Sequence, residues 1–131
     1  MENSATADPI LRRALGATAV MNLSGSAAFL PFAEPLRAAF GLPPAHAMWT
    51  LTVGIFIFSM GLGYARLAWT GREERVFVGV AAIGKALFAS VLLSMTFAGE
   101  LPWSAAAAGV PDFAFAALFA WRLAATRDGG R

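Results

Sequence analysis

Apolar residues along the chain fall into four long runs separated by short polar or turn-forming segments. The runs cover about 14–31, 47–65, 76–98 and 103–123. Each is close to the roughly 20 residues a helix needs to cross roughly 30 Å of hydrocarbon. None alternates with a period of two, and lipid tolerates only helices or closed barrels, which satisfy their own backbone polar groups. The pattern predicts an all-α fold, a single integral membrane domain over 1–131 built as an antiparallel bundle of four transmembrane helices. An outer loop over 32–46 follows the first span.

Composition sharpens that picture. Of 131 residues, 58% are hydrophobic and only 14% charged, against about 45–50% and about 25% in soluble domains. The mean hydropathy is +0.63. The basic pI of about 9.9 reflects a net charge of only +2, so nucleic acid is not an expected partner. The chain has no cysteine and one histidine. Thiolate chemistry, disulfides and iron–sulfur clusters are excluded, and a multi-histidine metal or haem site is not expected. No cofactor and no metal are expected.

The arginines set an orientation. Arg12 and Arg13 precede the first run, Arg66, Arg72 and Arg75 flank the second loop, and Arg122, Arg127 and Arg131 follow the last run. Only Arg37 lies on the opposite side, with Lys85 inside a run. By the positive-inside rule both termini and the middle loop are cytoplasmic, in a bacterial inner membrane. Trp49 and Trp103 mark the outer interface, Trp69 and Trp121 the inner one. A cleaved leader with Ser26-Ala27-Ala28 at its cleavage site is the competing reading of the first run. That run is long for such a leader and is interrupted by Asn22, so a retained span is expected.

Two opposite charges lie within the runs, and charge at membrane depth is costly. At 1.5 Å per residue, Lys85 lies about 14 Å from the cytoplasmic start of the third helix and Asp112 about 14 Å from the outer start of the fourth. In antiparallel helices the two meet at one level as an ion pair. Asn22 reaches that level from the first helix and Ser59 comes close from the second. These four residues form the candidate binding cluster. The pair either fixes which helices pack together or lines a hydrated cavity that holds a polar headgroup or relays a proton. Pro111 leaves one alternative open: a fourth helix starting there would move Asp112 to a first turn near the outer surface, whereas a continuous helix would leave the Ala107 carbonyl without its usual donor.

Small residues suggest close packing around this level. Ala82, Ala86, Ser90 and Ser94 form one stripe on the third helix, Ala81, Ala82 and Ala89 flank Lys85, and Gly54 and Gly61 lie on the second. Phe113, Phe115 and Phe119 are expected to face lipid or fill gaps. In the outer segment, Pro35 suits the first turn of a short helix that Gly41 ends. His46 suits a helix start at the interface. The sequence carries no nucleophile–histidine–carboxylate set, phosphate loop, dinucleotide turn or paired carboxylates, so no catalytic residue is assigned.

Four short helices, arginines before the first, the run Phe40-Gly41-Leu42-Pro43-Pro44 and a glycine-bearing helix after it resemble the small bacterial DoxX-like membrane proteins. The chain departs from that family at Ser24-Gly25-Ser26, where the family's first helix ends in a lysine. The resemblance implies the four-helix membrane fold and a role auxiliary to larger redox or transport systems. The expected function is that of a non-enzymatic accessory subunit or a binder of a small lipophilic molecule, alone, as a homo-oligomer or in a larger membrane complex. The alternative is a membrane enzyme acting on a quinone- or isoprenoid-like substrate with Asp112 and Lys85 as acid and base.

Overall fold

Local signals at the helix ends decide where each element begins, and they extend beyond the apolar runs. In the computed structural model, which describes residues 8–128, α1 spans Pro9–Ser26. Its N-cap is Asp8, whose Oδ1 accepts from the Ile10 N–H at 2.9 Å, and Pro9 occupies the first turn, where a missing N–H costs nothing. The helix therefore starts five residues before the apolar run does. It does not continue straight to 31. Two 3₁₀ turns, Ala27–Phe29 and Pro31–Ala33, follow, then α2 over Glu34–Ala39. The chain turns by 89° between the Pro9–Phe29 and Pro31–Ala39 segments.

His46 caps α3, Ala47–Thr70, with its Nδ1 accepting from the Met48 N–H at 3.2 Å. This helix runs five residues past the apolar limit at 65 and stops at Gly71, whose φ of +64° suits glycine. α4 covers Arg75–Phe97 and ends ahead of Gly99, also left-handed at φ +78°. α5 covers Trp103–Asp128 and runs through Pro111. Among the described residues the fold is all-helical with no strand. α3, α4 and α5 are each long and apolar enough to cross a membrane, and the bent α1–α2 segment makes a fourth candidate. This is the construction of a membrane protein. The side chain of Arg127 and the whole of Arg131 lie outside the described residues.

The chain divides after Arg72 into two compact units. In the first, α1 and α3 run antiparallel, with glycines at the closest approaches. A Cβ on Gly61 would meet Leu23 Cδ2 and Cγ at 2.9 Å and the Leu23 backbone nitrogen at 3.2 Å. A Cβ on Gly54 would meet Phe29 Cβ at 3.0 Å. Arg12 on α1 closes one end, its Nε donating to the Ala68 carbonyl at 2.7 Å. Arg37 closes the other, its Nη1 donating to the carbonyls of Ala28 at 2.7 Å and Leu30 at 2.9 Å. Arg12 serves a carbonyl in the last turn of α3, where helical donors run out, and Arg37 adds to the Leu30 carbonyl, which also accepts from the Ala33 N–H at 3.0 Å.

The second unit pairs α4 with α5. The buried positions of α4 are Val78, Ala81, Ala82, Lys85, Ala89, Leu92 and Thr96, a stripe at spacings of three and four that presents one face. This corrects the expected stripe: Ser90 and Ser94 are exposed. A Cβ on Gly109 would meet Ala89 Cα and Leu92 Cδ1 at 3.4 Å, so the two helices approach closely there. Leu92, Leu101 and Ala105, with Met95 against them, fill the end near the α4–α5 turn. At the opposite end Arg75 Nη2 donates to the Leu123 carbonyl at 2.8 Å.

Candidate functional site

Lys85 and Asp112 face one another across the α4–α5 seam. Lys85 lies ten residues into α4 and Asp112 nine into α5, so antiparallel packing brings them to the same level. Nζ donates to Oδ1 at 2.5 Å, with the side chains only 7% and 14% exposed. Because α5 passes unbroken through Pro111, Asp112 sits mid-helix, not in a first turn. Pro111 has no N–H, so the carbonyl of Ala107 one turn earlier lacks its helical donor. Alanines on α4 leave room for the pair: Ala81, Ala82 and Ala89 are all buried around Lys85.

An aromatic face completes the setting. The Lys85 ammonium lies 5.8 Å from the centre of the Phe115 ring, within range of a cation–π attraction. Phe115 in turn stacks on the fully buried Phe119, with centroids 6.2 Å apart. Phe119 thus fills the core, and Phe113 is 39% exposed. The ammonium thus meets a carboxylate oxygen and a ring face. Such an arrangement holds two helices in one register and neutralises charge at depth.

The other two members of the expected cluster lie in the first unit. Asn22 is half-buried on α1. Ser59 is exposed on α3, two residues after Ile57 and two before Gly61, and so turned away from the seam that Gly54 and Gly61 form with α1. Within this unit the polar group deepest in the protein is one the sequence did not single out. Thr18 on α1 is fully buried, and its hydroxyl has no hydrogen-bond partner among the described residues.

The chain matches no family model, and no curated protein or solved structure is significantly similar to it. Its chemistry has to be read from its own residues.

Two apolar grooves mark the surface. One, about 330 Å³, is lined by Phe29, Leu30, Leu51, Gly54, Ile55 and Phe58, with Ser26 and Ala27. The other, about 570 Å³, is lined by Leu93, Trp103, Ala106, Ala107, Val110 and Phe113. Neither is lined by Lys85 or Asp112. Among the described residues no three histidine, aspartate or glutamate side chains cluster as metal ligands would. Sequence reasoning treated Arg12, Arg37 and Arg75 as markers of orientation or left them aside. Each in fact holds backbone carbonyls, Arg12 and Arg75 doing so from the start of one helix to the end of its antiparallel partner.

Proposed function

We propose that the chain is a non-enzymatic accessory subunit of a bacterial inner-membrane complex, crossing the bilayer four times with both termini in the cytoplasm. The observation that carries this reading is the closure of Lys85 on Asp112 at 2.5 Å, with neither side chain among those that line either groove. An enzyme using these groups as acid and base needs substrate-sized space against both of them. A subunit needs only that they hold α4 against α5.

The placement in the membrane rests on spacing. Trp49 and Trp69 on α3 are 62% and 87% exposed and lie about 30 Å apart along the helix at 1.5 Å per residue. Trp103 and Trp121 on α5 lie about 27 Å apart on the same measure. Indole rings at both ends of a span are the usual interfacial anchors. Between them the helices expose Ile55, Phe56, Phe58, Leu62, Val80, Ile83, Leu87 and Val91, a surface suited to lipid or to partner helices. α1 serves as the fourth span, and the arm from Pro31 to Ala39 lies at the outer surface. Kinship with the DoxX-like proteins, carried by Phe40 to Pro44, is part of the same proposal and agrees with an auxiliary role.

Native mass spectrometry of the protein extracted from its own membranes tests the reading. A reproducible larger complex is the expected result. A chain that emerges alone or only as a homo-oligomer, with a stoichiometric non-lipid small molecule bound, overturns the subunit role in favour of a ligand binder. Reporter fusions at the C-terminus check the orientation, and periplasmic activity contradicts it.

A further inference from the structure

The arm that turns away from α1 leaves a groove with a buried arginine beside it. The groove of about 330 Å³ is at the lower end of the range for small-molecule pockets, about 300–1,000 Å³. Leu51 to Phe58 of its wall lie two to nine residues after Trp49, or about 3–14 Å along α3. With Trp49 at the outer interface, that is the depth of the outer leaflet's acyl chains. Gly54 lets Phe29 pack directly against this wall, since a Cβ there would meet Phe29 Cβ at 3.0 Å.

Arg37 is 8% exposed. Its Nη1 is occupied by the carbonyls of Ala28 and Leu30, and Leu30 is itself part of the groove wall. The N–H groups on Nε and Nη2 have no acceptor among the described residues. Glu34, three residues earlier on α2, is exposed and makes no ion pair with it. Neither nitrogen is among the buried unpartnered atoms, so both stay accessible to an incoming ligand, and charge-assisted bonds from a guanidinium to an anion are strong. Apolar groove and cation meet at Leu30.

We propose that the groove is a phospholipid site, with one acyl chain along Leu51, Gly54, Ile55 and Phe58 and the phosphate accepting from Nε and Nη2 of Arg37. This goes beyond the subunit role and rests only on the membrane placement above.

The test is native mass spectrometry of the purified full chain in detergent, with equimolar phosphatidylglycerol and diacylglycerol of the same chains. The expected result is one phosphatidylglycerol retained per chain at about tenfold preference, the equivalent of one charge-assisted hydrogen bond. Arg37→Gln is expected to abolish the preference and Arg37→Lys to keep part of it. Ile55→Trp, which leaves Arg37 in place and fills the groove, is expected to lower retention of both lipids about tenfold with helical circular dichroism unchanged. Equal retention of the two lipids by the wild type, or retention unaffected by Ile55→Trp, means annular lipid only and overturns the site. Displacement by inorganic phosphate regardless of chain length makes it a free-anion site and overturns it too. Alkaline carbonate extraction keeps the two readings apart: release of the chain from membranes contradicts the membrane placement itself.

Discussion

The two helix pairs solve the same packing problem with different chemistry. α1 and α3 come together by leaving atoms out: Gly54 and Gly61 let Phe29 and Leu23 close in to distances at which no Cβ fits. α4 and α5 come together by adding charge: Lys85 meets Asp112 at 2.5 Å in a bed of alanines. Both pairs are then tied at one end by an arginine that reaches from the start of the first helix to carbonyls at the end of the second, Arg12 to Ala68 and Arg75 to Leu123. Between membrane helices the hydrophobic effect supplies little, since lipid is as apolar as leucine, and packing and polar contacts decide. A steric seam fails when volume is added. An electrostatic seam fails when one charge is taken away.

The largest effect is expected where a charge loses its partner. Asp112→Ala takes the carboxylate away from the buried Lys85 ammonium and is expected to destabilise the protein by about 3–5 kcal/mol, measured by unfolding in mixed detergent micelles. An effect below about 1 kcal/mol, the range of an exposed pair, would place the two groups in water and remove the contrast between the seams. Next comes Gly61→Val, whose Cβ meets both the Leu23 side chain and its backbone nitrogen. About 1–3 kcal/mol of overpacking is expected in the same assay. Leu23→Ala in the same chain should recover only part of it, because the backbone contact stays.

The arginine ties should cost less and cost alike. Arg12→Gln and Arg75→Gln each remove charge-assisted bonds to backbone carbonyls at exposed sites, and a loss of about 1 kcal/mol is expected for each. A much larger loss at one of them would show that the ends, not the seams, hold that pair. The smallest effect has the opposite sign. Thr18→Val keeps the shape of a buried side chain while removing a hydroxyl that has no partner among the described residues. It is expected to stabilise by up to about 1 kcal/mol, visible as a small rise in the unfolding temperature.

What the sequence made legible, and what it hid, follows from where the signal resides. Hydropathy located α4 to within a residue at each end, because Glu74 and Gly99 flank it sharply. Depth arithmetic was enough to join Lys85 and Asp112, since helical rise and antiparallel order fix their level. The start of α1 was hidden because its cap, Asp8-Pro9, is polar and lies outside any apolar run. The end of α3 was hidden for a similar reason: Arg66 breaks the hydropathy while its helical backbone continues to Thr70. Pro111 read equally well as a helix start or an interior kink, and the continuous packing of α5 on α4 chose the second. The face of each helix was harder to read. Ser90, Ser94 and Ser59 are exposed, because small and polar residues suit a seam and a lipid-facing surface about equally.

The charge swap tests the central claim most directly. Lys85→Asp combined with Asp112→Lys reverses the pair while keeping both charges at the α4–α5 seam. If the pair locks the two helices, each single substitution should destabilise strongly, and the double variant should regain most of the wild-type unfolding free energy. A double variant no more stable than either single would contradict the direct pair and, with it, the reading of this seam as an electrostatic one.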